Sequence, residues 1–351
     1  MRMQRSNSHG QSDFSPPLVL RGRAREGAAD ADRRSTPTPT LPRSTGGEGI
    51  TLRHVLCALF SIVAALCVNC MAQTTMPTTS PSPQVRRPVR VPEGITLDAN
   101  IPYDKYPDTV LDVMYPKSTG AEKRPGVIVF HGGGWIESNK ESTMNALCLP
   151  YLAKGFVVCN VEYRVSNTGQ SPANAPAAVV DALDAAKWFV DHADKYDVDP
   201  NRLVVTGASA GGHLALMVGM VTPDANLGPV IKVAAIVNCY GPTDVNDLIA
   251  RKSSFTLKWL PDQPGREDLA KRLSPMTYVR KDLPPLLIVQ GERDNTVPVA
   301  QNVKLAWALK QLGDDEEMIL IPGAGHGPNQ GQWPDVNRLI FQFLAKRGII
   351  Q

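Results

Sequence analysis

The sequence predicts an α/β fold in which a mostly parallel sheet of eight strands carries helices on both faces. Three observations lead there. From about residue 95 onward, short apolar or β-branched runs alternate with longer helical segments, the order a parallel sheet needs to return the chain after each strand. Several of the runs are apolar throughout, as in Val127-Ile128-Val129-Phe130 and Leu286-Leu287-Ile288-Val289, which suits strands covered on both sides. Finally, Gly207-Ala208-Ser209-Ala210-Gly211 joins one such run to an apolar helix.

In chain order, residues 1–49 are rich in Arg, Ser, Thr, Pro and Gly without apolar periodicity, so they are expected to be disordered or untranslated. Arg53-His54 then leads into an apolar run of 14 residues, 55–68. That run is short for a bilayer span and fits the apolar region of a secretory signal, 50–72, with cleavage after Ala72. A signal ordinarily opens a chain, so translation is expected to begin near residue 50. The protein is thereby expected to be secreted or periplasmic, with no stable membrane association after cleavage; an uncleaved anchor at 55–68 is the alternative. Residues 73–92 are Thr/Pro/Ser/Arg-rich and read as a linker.

The catalytic domain is expected at 93–351. Ile95 to Ile101 and Thr109 to Tyr115 read as an opening hairpin at a sheet edge. Further strands are expected at 127–130, 156–163, 203–206, 233–238, 286–290 and 318–321, and helices at about 141–153, 174–195, 212–220, 299–312 and 333–346. Between the sixth and seventh strands, Val245–Pro284 is a longer excursion containing Phe255, Leu257, Trp259 and Leu260. Its composition suits either a small partial lid or plain packing onto the domain.

Composition narrows the function. The 351 residues are 42% hydrophobic, enough for a substantial core. Residues 1–72 hold nine Arg against five acidic residues, so they carry +4 of the net +3 and leave −1 for the remainder. Without a basic excess, nucleic acid is not an expected partner. Of six cysteines, Cys57, Cys67 and Cys70 precede the domain; Cys148, Cys159 and Cys239 show no metal-ligand spacing. Buried free thiols are expected, with one disulfide open in an oxidising compartment. No motif calls for a metal or cofactor.

Strand, sharp turn and helix around Ser209 are the context of an exposed nucleophile. Glycines two residues before and after permit close backbone approach, and the Ala210 N–H at the helix start can donate to a developing oxyanion. A serine needs a base, and there are six histidines. His9 and His54 precede the domain, His192 sits among charges, and His213 falls inside the apolar helix. His326, in Gly323-Ala324-Gly325-His326-Gly327 just past a strand, is free to reach a neighbour and can accept the serine proton. An acid between the two must orient the imidazole. Asp294 follows a strand end by a three-residue loop; Glu292 and Asp244 are the alternatives. His131-Gly132-Gly133-Gly134-Trp135 follows Val127–Phe130, and three glycines let N–H groups converge on one point. Gly133 and Gly134 are the expected oxyanion donors with Ala210, while His131 fastens the loop. No Lys-Ser/Thr follows these glycines, which argues against a phosphate loop.

His131–Trp135, Gly207–His213, Gly291–Asp294 and Gly323–His326, in this order and spacing, resemble the α/β-hydrolase superfamily, in particular its esterase branch with an HGGGW oxyanion loop, which includes the hormone-sensitive-lipase-like group. Val161-Glu162-Tyr163-Arg164, Asp197 to Arg202 and Leu273 to Val279 look most like bacterial carbohydrate esterases related to acetylxylan and feruloyl esterases. The resemblance covers about 93–348. Two places depart from it: Ser138 stands where a glycine is usual, and Val165 to Gln170 lacks the usual wording. It implies the α/β-hydrolase fold and hydrolysis of a small-molecule or polysaccharide ester through an acyl-enzyme. The alternatives are a prolyl-oligopeptidase-like serine peptidase and an inactive hydrolase scaffold used for binding.

Overall fold

In the computed structural model, residues 18–20, 90–117 and 122–351 are described. All of them belong to the larger of two units, Met1–Arg23 with Val89–Gln351; the smaller, Ala24–Pro88, lies outside the described residues. The expected signal at 50–72 and almost all of the expected leader and linker therefore lie outside them too.

Among the described residues nine strands make one sheet: β1 (Leu18–Leu20), β2 (Ile95–Pro102), β3 (Val110–Pro116), β4 (Arg124–Phe130), β5 (Val157–Val161), β6 (Val198–Ala208), β7 (Ala235–Cys239), β8 (Leu286–Gly291) and β9 (Glu316–Ile321). Their order is β1-β9-β8-β7-β6-β4-β5-β3-β2. The eight strands expected from the sequence are all present, and β2 and β3 form the predicted antiparallel hairpin at one edge. The run from β5 to β9 is parallel. β1 falls in the stretch expected to lack structure; it pairs antiparallel with β9, whose outer edge offers unpaired backbone groups to any extended segment.

Apolar strands have two faces to bury, and two cores do so. Ile128, Phe130, Val205, Ile236 and Ile288 pack with α2 (Ala177–Asp191), α3 (Ala210–Met220) and α7 (Val299–Leu312). The alternate residues Val127, Val129, Val204, Val237 and Val289 pack with α1 (Leu149–Ala153) and α8 (Trp333–Lys346). Alternation across the pleat assigns successive side chains to opposite cores.

Two helices differ from the sequence reading. The helix expected at 141–153 is a 3₁₀ turn (Lys140–Thr143), a π turn (Met144–Cys148) and the short α1, because Lys140 is drawn inward onto buried Asp112 (Nζ to Oδ2, 2.8 Å). α2 starts at Ala177, three residues later than expected, after Pro176. The excursion holds α4 (Val245–Ala250), α5 (Ser254–Trp259), α6 (Arg266–Arg272) and a 3₁₀ turn at Pro275–Tyr278. Trp259 and Leu260 anchor it in the core, while Phe255 is half-buried. No helix among the described residues is long and apolar enough to cross a membrane.

The chain passes from β4 to β5 on one side and returns to β6 on the other. A parallel sheet opens a crevice at the carboxyl ends of its strands where the order reverses. The loops after Phe130 and Ala208 both leave from that point, their strands in register at Phe130 and Gly207.

Candidate active site

β6 ends at Ala208 and α3 begins at Ala210, so Ser209 is the whole turn. Its backbone stands at φ 56° and ψ −119°, a conformation that costs a non-glycine residue about 1–3 kcal/mol. The glycines permit it: a Cβ on Gly207 would lie 2.6 Å from the Phe130 carbonyl oxygen, and one on Gly211 would run into the same atom. Ser209 N–H donates to the Cys239 carbonyl at 2.9 Å, and Ser209 C=O accepts from His213 N–H at 3.1 Å. The turn is thus held from both sides, and Ala210 presents the first N–H of α3, at the helix's positive end.

His326 Nε2 lies 2.8 Å from Ser209 Oγ, and His326 Nδ1 lies 2.9 Å from Asp294 Oδ2. Asp294 is buried; its Oδ1 accepts from the N–H groups of Thr296 (2.9 Å) and Val297 (3.0 Å), and Oδ2 also accepts from Gln290 Nε2 (2.9 Å). A carboxylate only accepts, so the imidazole proton sits on Nδ1 and Nε2 turns its lone pair to the serine hydroxyl. Tyr240 packs edge-on to the imidazole at 5.0 Å, which restrains the ring further.

The alternatives have other tasks. Asp244 caps α4, accepting from Asp247 N–H at 3.1 Å. Glu292 accepts from Gly323 N–H at 2.8 Å, tying the acid loop to the base loop. His213 is buried with Nε2 2.7 Å from the Leu273 carbonyl, and Nδ1 accepts from Trp135 Nε1–H at 3.2 Å. Burial pushes its pKa down to about 4, so it stays neutral as a structural acceptor and donor. His192 stacks on Trp188 at 3.9 Å.

The glycine loop faces the serine. A Cβ on Gly132 would sit 3.5 Å from Ser209 Cβ, and Gly133, Gly134 and Trp135 take φ of 103°, 60° and 61°. Gly134 admits no side chain, since its Cβ would lie 2.8 Å from Phe255 Cβ. The Trp135 ring stacks on Trp259 at 4.2 Å, which locks the loop to the excursion. His131 is buried, stacks on Tyr163 at 4.0 Å and has Nδ1 2.7 Å from Gly132 O. Tyr163 Oη–H donates to the His131 carbonyl at 2.8 Å, and Glu162 accepts from Lys140 N–H at 2.9 Å. The residues just after β5 therefore hold the start of the loop at His131 and the following turn at Lys140. Sequence reasoning assigns Glu162, Tyr163, Lys140 and Gln290 no task; for Glu162 and Gln290 the available signal is a charged or amide residue closing an apolar run. The atypical segment after Arg164 is pinned by Asp108, whose Oδ2 accepts from Gln170 N–H (2.7 Å) and Ser171 Oγ–H (2.8 Å).

Cys148, Cys159 and Cys239 are free and buried. Burial pushes the Cys148 and Cys239 thiols up to about 12, which leaves them unreactive.

Residues 111–309 match the BD-FAE family. The chain is 27% identical to esterase LipC of Mycobacterium tuberculosis over 238 residues, which is 64% of this chain and 58% of that protein. It spans just over half the length of the curated relatives it matches first. Among solved structures, a truncated carbohydrate esterase from gut microbiota is 27% identical with a TM-score of 0.61, covering 71% of this chain and 96% of that one. Esterase 2 of Thermogutta terrifontis with propionate bound is 25% identical with a TM-score of 0.60, covering 74% and 96%. The fold is that of these α/β-hydrolase esterases.

Proposed function

Because the chain belongs to the BD-FAE family, we propose that it is a serine carboxylic ester hydrolase working through an acyl-enzyme. The observation that carries this reading is the unbroken relay from Asp294 through His326 to Ser209, at 2.9 and 2.8 Å. Ser209 Oγ attacks the ester carbonyl while His326 Nε2 takes its proton, and the imidazolium formed is held by Asp294. The tetrahedral oxyanion is met by the N–H groups of Gly133, Gly134 and Ala210. Each such donor is worth about 2.7–4 kcal/mol when its geometry suits the transition state. His326 then returns the proton to the leaving alcohol, and water releases the acyl group by the same route.

The substrate class we infer is short-chain acyl or carbohydrate esters. Support comes from the likeness to a carbohydrate esterase and to an esterase that holds propionate. Phe255 lies against Gly134 beside the oxyanion loop, a placement that supports a small acyl group in this reading. The protein is secreted or periplasmic in this reading. N-terminal sequencing of the exported protein is expected to begin at Gln73; recovery of residues 55–68 in the mature form would instead mean an anchor.

Hydrolysis of p-nitrophenyl acetate, butyrate and octanoate beside acetylated xylan and methyl ferulate tests the reading. Cleavage of the shorter esters, with loss of about 10⁴-fold or more in Ser209→Ala, is the expected outcome. Faster cleavage of a Pro-containing chromogenic peptide than of any ester would make it a peptidase.

A further inference from the structure

Behind the acid stands a chain of buried amides to which the hydrolytic steps assign no task. Gln290 Nε2 donates to Asp294 Oδ2, the oxygen that also meets His326 Nδ1. At its other end, Gln290 Oε1 accepts from Asn302 Nδ2 at 2.7 Å. Asn302 Nδ2 donates as well to the Gly241 carbonyl at 3.0 Å, and Asn302 Oδ1 accepts from Asn238 Nδ2 at 2.8 Å. Asn238 Oδ1 accepts from Gly241 N–H at 2.8 Å. All three amides are fully buried.

The chain has a direction that backbone chemistry imposes. A peptide N–H can only donate, so Asn238 must turn its oxygen to Gly241 and its NH₂ to Asn302. Asn302 then turns oxygen to Asn238 and NH₂ to Gln290, and Gln290 is left with its oxygen occupied and its NH₂ aimed at Asp294. The Gly241 carbonyl, which only accepts, fixes Asn302 a second time. A donor is thereby fixed on Asp294 Oδ2. With Oδ1 held by two backbone N–H groups, the carboxylate cannot rotate.

We propose that Gln290, oriented by Asn302 and Asn238, is a positioning residue that locks the plane of Asp294 and so the Nδ1–H tautomer and direction of His326. The proposal rests on the ester-hydrolase reading for its kinetic consequence. The three side chains are fully buried and out of reach of a substrate, so their loss is expected to fall on kcat.

Three variants test it with p-nitrophenyl acetate. Gln290→Leu is expected to lower kcat by about 10- to 100-fold, the cost seen when a partner that orients a metal-ligating side chain is lost, with KM little changed. Asn302→Asp is nearly isosteric but only accepts, so it turns the Gln290 amide over and sets Oε1 against Asp294, and it also leaves a carboxylate oxygen facing the Gly241 carbonyl; kcat falls further. Adding Gln290→Leu to Asn302→Asp removes the misdirected oxygen and is expected to recover activity toward the Gln290→Leu level. A Gln290→Leu enzyme with wild-type kcat, or a double variant whose losses simply multiply, would overturn the proposal. A readout without turnover covers variants that fold poorly and separates this idea from the function: the low-field proton resonance of His326 Nδ1–H, absent in Asp294→Asn. Displacement of that resonance in folded Asn302→Asp or Gln290→Leu supports the amide chain even if Ser209→Ala still cleaves esters, a result that would end the hydrolase reading alone. An unmoved resonance in both contradicts it.

Discussion

Ser209 occupies a backbone conformation that its glycine neighbours permit, and the strain is held in place by hydrogen bonds on both sides. Gly211→Ala drives a methyl group into the Phe130 carbonyl, and neither partner is a flexible side-chain end. It is expected to destabilise the fold by about 3 kcal/mol or more, or to prevent soluble expression, by the mechanism of strain at a special backbone site; thermal unfolding would measure it. Among the acids, geometry singles out Asp294. Asp294→Asn leaves the shape and removes the charge that orients the imidazole, so kcat should drop by roughly 10⁴-fold. Asp244→Ala should leave turnover intact and cost about 1 kcal/mol of stability as a lost helix cap. At this scale the serine, the base and the glycine loop were legible in the sequence because each sits on a strand end between glycines. The amides behind Asp294 were not. Gln290 closes an apolar strand, and its partner Asn302 lies on the next helix, a proximity that only the folded chain creates.

The elements repeat the lesson. Apolar strands were readable because both faces are buried, so nearly every residue carries the signal. The helix expected at about 141–153 is broken up, and helical periodicity does not reveal that Lys140 must reach Asp112 inside the sheet. The composition of the excursion suits lid and packing alike, and its tryptophan decides much of it. Trp259 is fully buried and stacked on Trp135, so it is both core and buttress for the oxyanion loop. Trp259→Ala should cost about 3–5 kcal/mol of stability, the range for truncating a buried aromatic, and denaturant titration would read it. Tyr163→Phe removes only the hydroxyl that holds the His131 carbonyl. The expected result is lower kcat with a near-native melting midpoint; unchanged kcat would mean the loop keeps its place without that bond.

For the molecule as a whole, the sheet order brings four loops from four strands to one edge, with the stabilising cores on either side. The buried His213 links the core around Trp135 and Trp259 to pH. An unfolded histidine protonates near 6.5, whereas burial holds folded His213 neutral down to about 4. Between these values the unfolded chain binds the additional proton. The contribution is complete above about pH 6.5 and is lost as pH falls toward 4, on the order of 3 kcal/mol. Melting midpoints of the wild type should fall across that window, and His213→Gln should show a shallower slope. The most direct measurement of the central claim is the intact mass of the protein after a fluorophosphonate probe, followed by peptide mapping. A single adduct on Ser209, formed slowly or not at all in His326→Ala, is the expected result. An adduct on another residue, or full labelling without His326, would contradict the relay on which the function rests.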